Sequence, residues 1–312
     1  MSFKKLLPAA ALLALVGAAQ AQVSIYGLID AGMVKSLNDD TSTPKKDGAL
    51  AFGGNSTTKV GLKGSTDLGS GIKGNFQLES SGIDIDGKLK DGIMFGRQAW
   101  LGASGAFGEV RAGRQDSVGF QTMIGFDLNG AANTASATDA AGLFGAIFNG
   151  QGTRSVQYIA PAMSGFKVQL GYQTADTSLA ESVSGGKAST AYGVTYTLGK
   201  LALAIAGSSK TSTGGNSASS YAGSYDFGIF KAVANISGTK GAKGNMIGAV
   251  APIAGVNVGL QYAKNTDTKV KATELFVNKE ILKNTSAYAD FVSKKDGSVK
   301  NDAYAVGVIY TF

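Results

Sequence analysis

Apolar and polar residues alternate along this chain from residue 22 onward, the period of a half-buried strand. "QVSIYGLIDAGM" sets Val23, Ile25 and Ile29 on one face and Ser24, Tyr26 and Asp30 on the other. "KVGLKG" opposes Val60 and Leu62 to Lys59 and Lys63, and "GNFQLES" opposes Phe76 and Leu78 to Gln77 and Glu79. The same rhythm runs through "FKVQLGYQ" and "VNVGLQYA" and closes in "AYAVGVIYTF", where Tyr304, Val306, Val308, Tyr310 and Phe312 share a face. Short turns such as 65–71, 105–108, 160–165, 198–200 and 253–255 join neighbouring strands. Longer polar stretches separate the hairpins, at 34–55, 83–93, 116–152, 175–189, 210–218, 265–270 and 293–300. The segmentation predicts sixteen strands, an even number with short turns at one end and long loops at the other, as in an outer-membrane barrel.

A soluble sandwich has the same alternation but fills a core with large aliphatic residues. This chain offers glycine and alanine instead, and its apolar faces end in Tyr172, Tyr262, Tyr304, Tyr310 and Phe312, which suits the aromatic girdles of a bilayer-spanning barrel. Beyond the first residues no run of about 18 apolar residues occurs, so helices are not the means of crossing a membrane. "MSFKKLLPAAALLALVGAAQAQ" reads as a secretory signal peptide, with Lys4 and Lys5 before an apolar run and cleavage expected between Ala21 and Gln22. Residues 1–21 are then a leader and 22–312 a single barrel domain.

Composition narrows the function. The chain has no His and no Cys, which removes Ser/His hydrolases, Zn–His sites, thiolate metal sites and disulfides; no cofactor is expected. Its net charge of +7 falls to +5 without Lys4 and Lys5, and lysines such as Lys264, Lys269, Lys271, Lys294 and Lys295 are spread over several segments. No clustered basic face of the kind a nucleic-acid binder uses is evident. The spaced glycines of "GASGAFGEV" lie in a hairpin and mark a turn, not a dinucleotide site.

Several stretches resemble the Gram-negative trimeric porins, of the β-proteobacterial general type: "SIYGLIDAG", "KVGLKGSTDLGSGIKGNFQLES", "GRQAWLGASGAFGEVRAGRQ", "SVQYIAPAMSGFKVQLGYQ" and the terminal "YTF". The likeness is dense over 22–174 and 301–312. It implies a 16-stranded antiparallel transmembrane β-barrel in the outer membrane, a homotrimer with a water-filled channel in each subunit, and a third long loop, 116–152, folded inward as a constriction. It implies as partners membrane lipid, lipopolysaccharide, the outer-membrane assembly machinery and small anions and hydrophilic solutes, with Phe312 as an assembly signal.

Strand parity places Lys59 and Glu79 in the lumen. The resemblance adds Arg97, on the face opposite Gln98 and Trp100, and Arg114 at the corresponding place on the next strand. Asp127 is the one loop acid expected to face this basic wall, and Arg111, of opposite parity to Arg114, is assigned to the periplasmic rim. The expected function is passive diffusion with a preference for anions. An adhesive or structural surface barrel acting through its loops is the alternative; a barrel enzyme is a poorer fit to a chain without His.

Overall fold

A strand bordered by lipid must satisfy every backbone group by pairing, and pairing without an edge requires closure. The computed structural model describes residues 22–37, 48–148, 151–174, 188–210 and 216–312, and shows such a closed wall. In chain order the strands are β1 (Gln22–Lys35), β2 (Ala49–Phe52), β3 (Lys59–Gly69), β4 (Ile72–Glu79), β5 (Gln98–Gly105) and β6 (Gly108–Asp116). After the third long loop come β7 (Gln151–Ile159), β8 (Phe166–Gln173), β9 (Ser189–Leu198), β10 (Leu201–Ser208), β11 (Ala218–Asp226) and β12 (Lys231–Gly238). The wall ends with β13 (Gly244–Ile253), β14 (Val256–Asn265), β15 (Lys271–Leu282), β16 (Thr285–Asp296) and β17 (Val299–Thr311).

Every neighbouring pair is antiparallel. β2 and β3 pair with successive parts of β1, Ala49–Phe52 against Val34–Ala31 and Lys59–Ser65 against Leu28–Gln22, so together they make one wall strand interrupted at 53–58. The barrel therefore has sixteen staves. It closes where β17 meets β1, from Leu28 opposite Thr311 to Lys35 opposite Tyr304, and the last pair of bonds joins Gly27 and Phe312 in both directions (2.9 and 3.0 Å). A Cβ on Gly27 would stand 2.7 Å from the Phe312 ring and 2.5 Å from the Lys59 carbonyl, so glycine is what lets that ring seat against the first strand.

Alternation sorts the side chains as the sequence pattern predicts. β17 exposes Val306, Val308, Tyr310 and Phe312 while Ala303 and Ala305 are fully buried. The connection at 293–300 departs from expectation: β16 and β17 stay paired to Asp296 opposite Val299, leaving a two-residue turn. Its polarity suggested a loop, but strands that rise above the bilayer are wetted on the outside and lose their apolar face. The expected loops at 175–189 and 210–218 fall largely outside the described residues, as do the leader and the expected cleavage position.

The third long loop folds inward. Ser117 caps α1 (Val118–Met123), accepting from the Phe120 amide at 3.0 Å; Ser136 caps α2 (Ala137–Ala140), and α3 (Phe144–Ile147) follows. Met123, Phe126, Leu143, Ile147 and Phe148 pack on inward-facing small residues of the wall, among them Ala204, Ala206, Ala263, Ala272 and Ala303. Phe120 and Phe144 are partly buried against the same cluster and flank the Phe148 ring at 5.8 and 5.0 Å. Alanine on this half of the wall is thus explained by the loop that it must admit.

Candidate functional site

The polar half of the lumen lies against β1 and β3–β6. Glu79, only 3 % exposed, is its centre. One carboxylate oxygen accepts from Arg97 Nε at 2.8 Å and the other from Tyr26 Oη at 2.9 Å, and Lys59 Nζ stands 3.3 Å away. Gln77 donates to the Tyr26 hydroxyl at 2.6 Å, fixing its orientation. Two cations share one buried carboxylate, so the group carries a net positive charge. Lys59, Glu79 and Arg97 are thereby brought together, in the arrangement expected of them.

Trp100 and Arg111 differ from expectation. Gln98 and Trp100 are buried on the lumen side while Leu101 is 68 % exposed on the outside. Arg111 pairs with Gly102, on the same face of β5 as Trp100; its guanidinium stacks on the indole at 4.5 Å and bonds Glu109 at 2.7 Å. Arg111 is therefore a lumen residue, not a periplasmic rim residue, and it lines a cavity of about 240 Å³ together with Lys59, Glu79, Gln98, Asp116 and Gln121. Arg114 is not part of this cavity: it pairs with Ala99, and its Nε donates to the Gly96 carbonyl. The parity count failed because Arg97 precedes the first residue of β5 and because a register shift between Gly113 and Gln115 displaces Arg114. The signal was present in "QAWLGASG", where Ala99, Leu101 and Ala103 form the apolar face.

Asp127 does not face the basic wall either. It is 5 % exposed, behind the loop, accepting from Gln261 Nε2 and Thr138 Oγ1 at 3.1 Å each and from the Asn129 amide at 3.0 Å. Around it lies a set of buried carboxylates that sequence reasoning missed. Glu274 accepts from Asn129, the Ala137 amide and Gln261. Asp290 accepts from Asn55 at 2.8 Å, and Asp30 accepts from Tyr288 at 2.7 Å and from the amides of Asn55 and Ser56. The interruption at 53–58 supplies these amides and bonds the loop directly, the Asn133 amide to Asn55 O and the Thr134 amide to Gly54 O. The acids thus pin the loop to the wall. Within the loop, burial pushes the Asp139 carboxyl up from its ordinary range while Lys294 opposes the shift.

A basic half-wall facing a loop pinned by hidden acids, inside a sixteen-stave barrel, is the layout of a channel. The family model described as Gram-negative porin matches residues 9–312. This chain belongs to that family. The outer membrane porin protein 32 of Delftia acidovorans is 34 % identical to it over 342 aligned positions, covering 98 % of this chain and 95 % of the relative. An outer membrane porin protein of Bordetella pertussis is 36 % identical over 185 positions, about half of each chain (54 % and 48 %). Among solved structures, an anion-selective porin from Comamonas acidovorans superposes with a TM-score of 0.74 at 25 % identity, covering 94 % of this chain and all of that one. The chain is an outer-membrane porin of a Gram-negative bacterium, a family that is not an enzyme class.

Proposed function

We propose that this porin prefers anions, and that Lys59, Arg97 and Arg111 form the wall that selects them. The observation that carries the reading is the Glu79 group, in which one buried carboxylate meets two cations. Arg111 adds a guanidinium beside it on the Trp100 face, and Asp127, the acid expected across the lumen, is withdrawn behind the loop. Like charges lining a narrow passage raise the local concentration of counter-ions. The relative from Comamonas acidovorans described as anion-selective supports the same reading.

Purified protein in a planar bilayer tests it. Stepwise conductance is expected, with a zero-current potential in a potassium chloride gradient on the anion side. The preference should fade as salt rises, since charges are screened within about 8 Å at physiological ionic strength and about 3 Å at 1 M. A pore that favours potassium at low salt would overturn the reading; absence of any conductance from folded protein would favour a surface barrel acting through its loops.

The accompanying assignments belong to the same proposal: residues 1–21 removed as a leader, residues 22–312 as one domain with 116–152 as its constriction, a homotrimer, lipopolysaccharide as an outer-leaflet neighbour, no nucleic-acid partner and no catalytic role. Phe312 acts in assembly. Its backbone completes the closing ladder and its ring seats over Gly27 with Tyr310 alongside at 6.2 Å. Deleting Phe312 should lower the amount of heat-modifiable barrel in the outer membrane while leaving the conductance of the barrels that do form unchanged. Normal yield after deletion would refute the role.

A further inference from the structure

Tyr26 of β1, Gly61 of β3 and Glu79 of β4 stand at one level of the wall, Tyr26 paired with Gly61 and Gly61 with Glu79. Neighbouring strands lie about 4.8 Å apart, so a tyrosine on β1 reaches a carboxylate on β4 only by lying flat across the strand between them. Glycine permits that. A Cβ on Gly61 would stand 2.5 Å from Tyr26 Cζ and 2.6 Å from the hydroxyl oxygen. Lys59 and Lys63 flank Gly61 on the lumen face of β3 and the ring lies between them, its centroid 5.1 Å from Lys63 Nζ, within reach of a cation–π contact. Lys59 lines the cavity of about 240 Å³ described above, while Lys63 lines the adjoining recess of about 760 Å³ toward the short turns.

The Tyr26 hydroxyl decides how close Lys59 comes to Glu79. A charge-assisted N–H···O bond closes to about 2.7–2.9 Å. Arg97 Nε holds one oxygen of Glu79 at 2.8 Å and Tyr26 Oη holds the other at 2.9 Å, whereas Lys59 Nζ stops 3.3 Å from each. Gln77, donating to the Tyr26 oxygen at 2.6 Å, leaves the phenolic proton for Glu79. With both oxygens engaged in shorter bonds, Lys59 is kept off the carboxylate, and its side chain stays 22 % exposed to the lumen.

We propose that Tyr26 is a positioning residue for anion selection: it carries no charge, yet its hydroxyl keeps Lys59 from closing on Glu79 and its ring holds Lys63 beside the path of the ions. The role rests on the anion-preferring reading given above. It assigns part of the selectivity to a residue that neither charge nor strand parity points out.

Zero-current potentials of the full-length porin in a planar bilayer, measured in a potassium chloride gradient at low salt, test the role. Tyr26→Phe keeps the ring and alters no charge. Lys59 should then close on the vacated oxygen and the anion-to-cation permeability ratio should fall about threefold, because a unit charge withdrawn from about 4 to about 6 Å changes the weight of an ion in water by about 1.8-fold, in opposite senses for anion and cation. Gly61→Ala displaces the whole ring without touching Tyr26 or any charge, and should lower the ratio further as Lys63 loses its support. Conductance at 1 M salt, where charges are screened within about 3 Å, should be the same for Tyr26→Phe and wild type, as should heat-modifiable mobility. A residue that merely braced the wall would change those two and leave the ratio alone. Equal ratios for wild type and Tyr26→Phe, or a fall accompanied by altered conductance at 1 M, would overturn the role of Tyr26 and leave the anion preference standing. Wild-type selectivity in folded Gly61→Ala would overturn the part given to the ring. A wild type that prefers potassium overturns the anion-selecting wall and the role of Tyr26 together, so the two failures are told apart.

Discussion

Deleting residues 122–147 is expected to enlarge the single-channel conductance and, in the same step, to turn the pore toward cations. The first effect follows from volume. Met123, Phe126, Leu143 and Ile147 fill the lumen against alanines of the wall, and nothing of comparable bulk replaces them. The second follows from what the loop hides. Its removal takes away Asn129 and the Ala137 amide, which bond Glu274, and leaves Asp30, Glu274 and Asp290 facing water. Three carboxylates then line a lumen in which the basic half-wall had stood alone. Conductance and zero-current potential measured on the refolded deletion variant check both effects together. Unchanged conductance would mean that the loop does not limit flow, and a wider pore that kept its anion preference would mean that the buried acids stay out of reach of passing ions. A milder variant, Phe148→Ala, removes a ring that is 1 % exposed and should cost about 3–5 kcal/mol of stability, seen as earlier loss of heat-modifiable mobility.

Reversing Arg97 and Arg111 together should move selectivity most among point substitutions. Arg97→Glu turns the Glu79 group from one acid and two cations into two acids and one cation. Arg111→Glu sets two carboxylates side by side at Glu109 and empties the Trp100 face of its guanidinium. A unit charge about 4 Å from a passing ion in water is worth about 1 kcal/mol, so the anion-to-cation permeability ratio should fall on the order of tenfold or more at low salt. Arg114→Glu is the control, because Arg114 is held at the Gly96 carbonyl and lies outside the cavity that Lys59, Glu79 and Arg111 line. A response to Arg114→Glu as large as that to the double reversal would show that overall charge, rather than this wall, sets the preference.

Where the backbone alternates without interruption, a count of residues along the sequence places side chains correctly. Lys59, Glu79, Val306 and Phe312 all sit on the faces that alternation assigns, because a period of two leaves each side chain no third option. Where the backbone breaks step, the count fails. Arg97 is in the lumen but lies before β5, so counting from it put Gln98 and Trp100 on the wrong face; Arg114 lies at a register shift, and the ladder sets Arg111 beside Trp100 and not at the rim. Dispersal along the chain hides proximity too: Lys264, Lys271, Lys295 and Lys300 are scattered in the sequence, and the register of four strands makes them neighbours on the outer face of the wall.

The sequence by itself determined that this chain is a barrel and where its walls lie, because strand period, turn chemistry and the lack of any large aliphatic core are local properties that each segment carries alone. That 116–152 would fold inward came from the family resemblance, and its apolar composition agrees with it. What holds that segment was decided only by tertiary structure. Asp30, Asn55, Asp127, Glu274 and Asp290 come from five distant stretches, and none is informative until closure of the barrel brings them within hydrogen-bond reach. A buried carboxylate needs donors, and donors reached across more than a hundred residues, as from Gln261 to Asp127, leave no pattern of spacing along the chain.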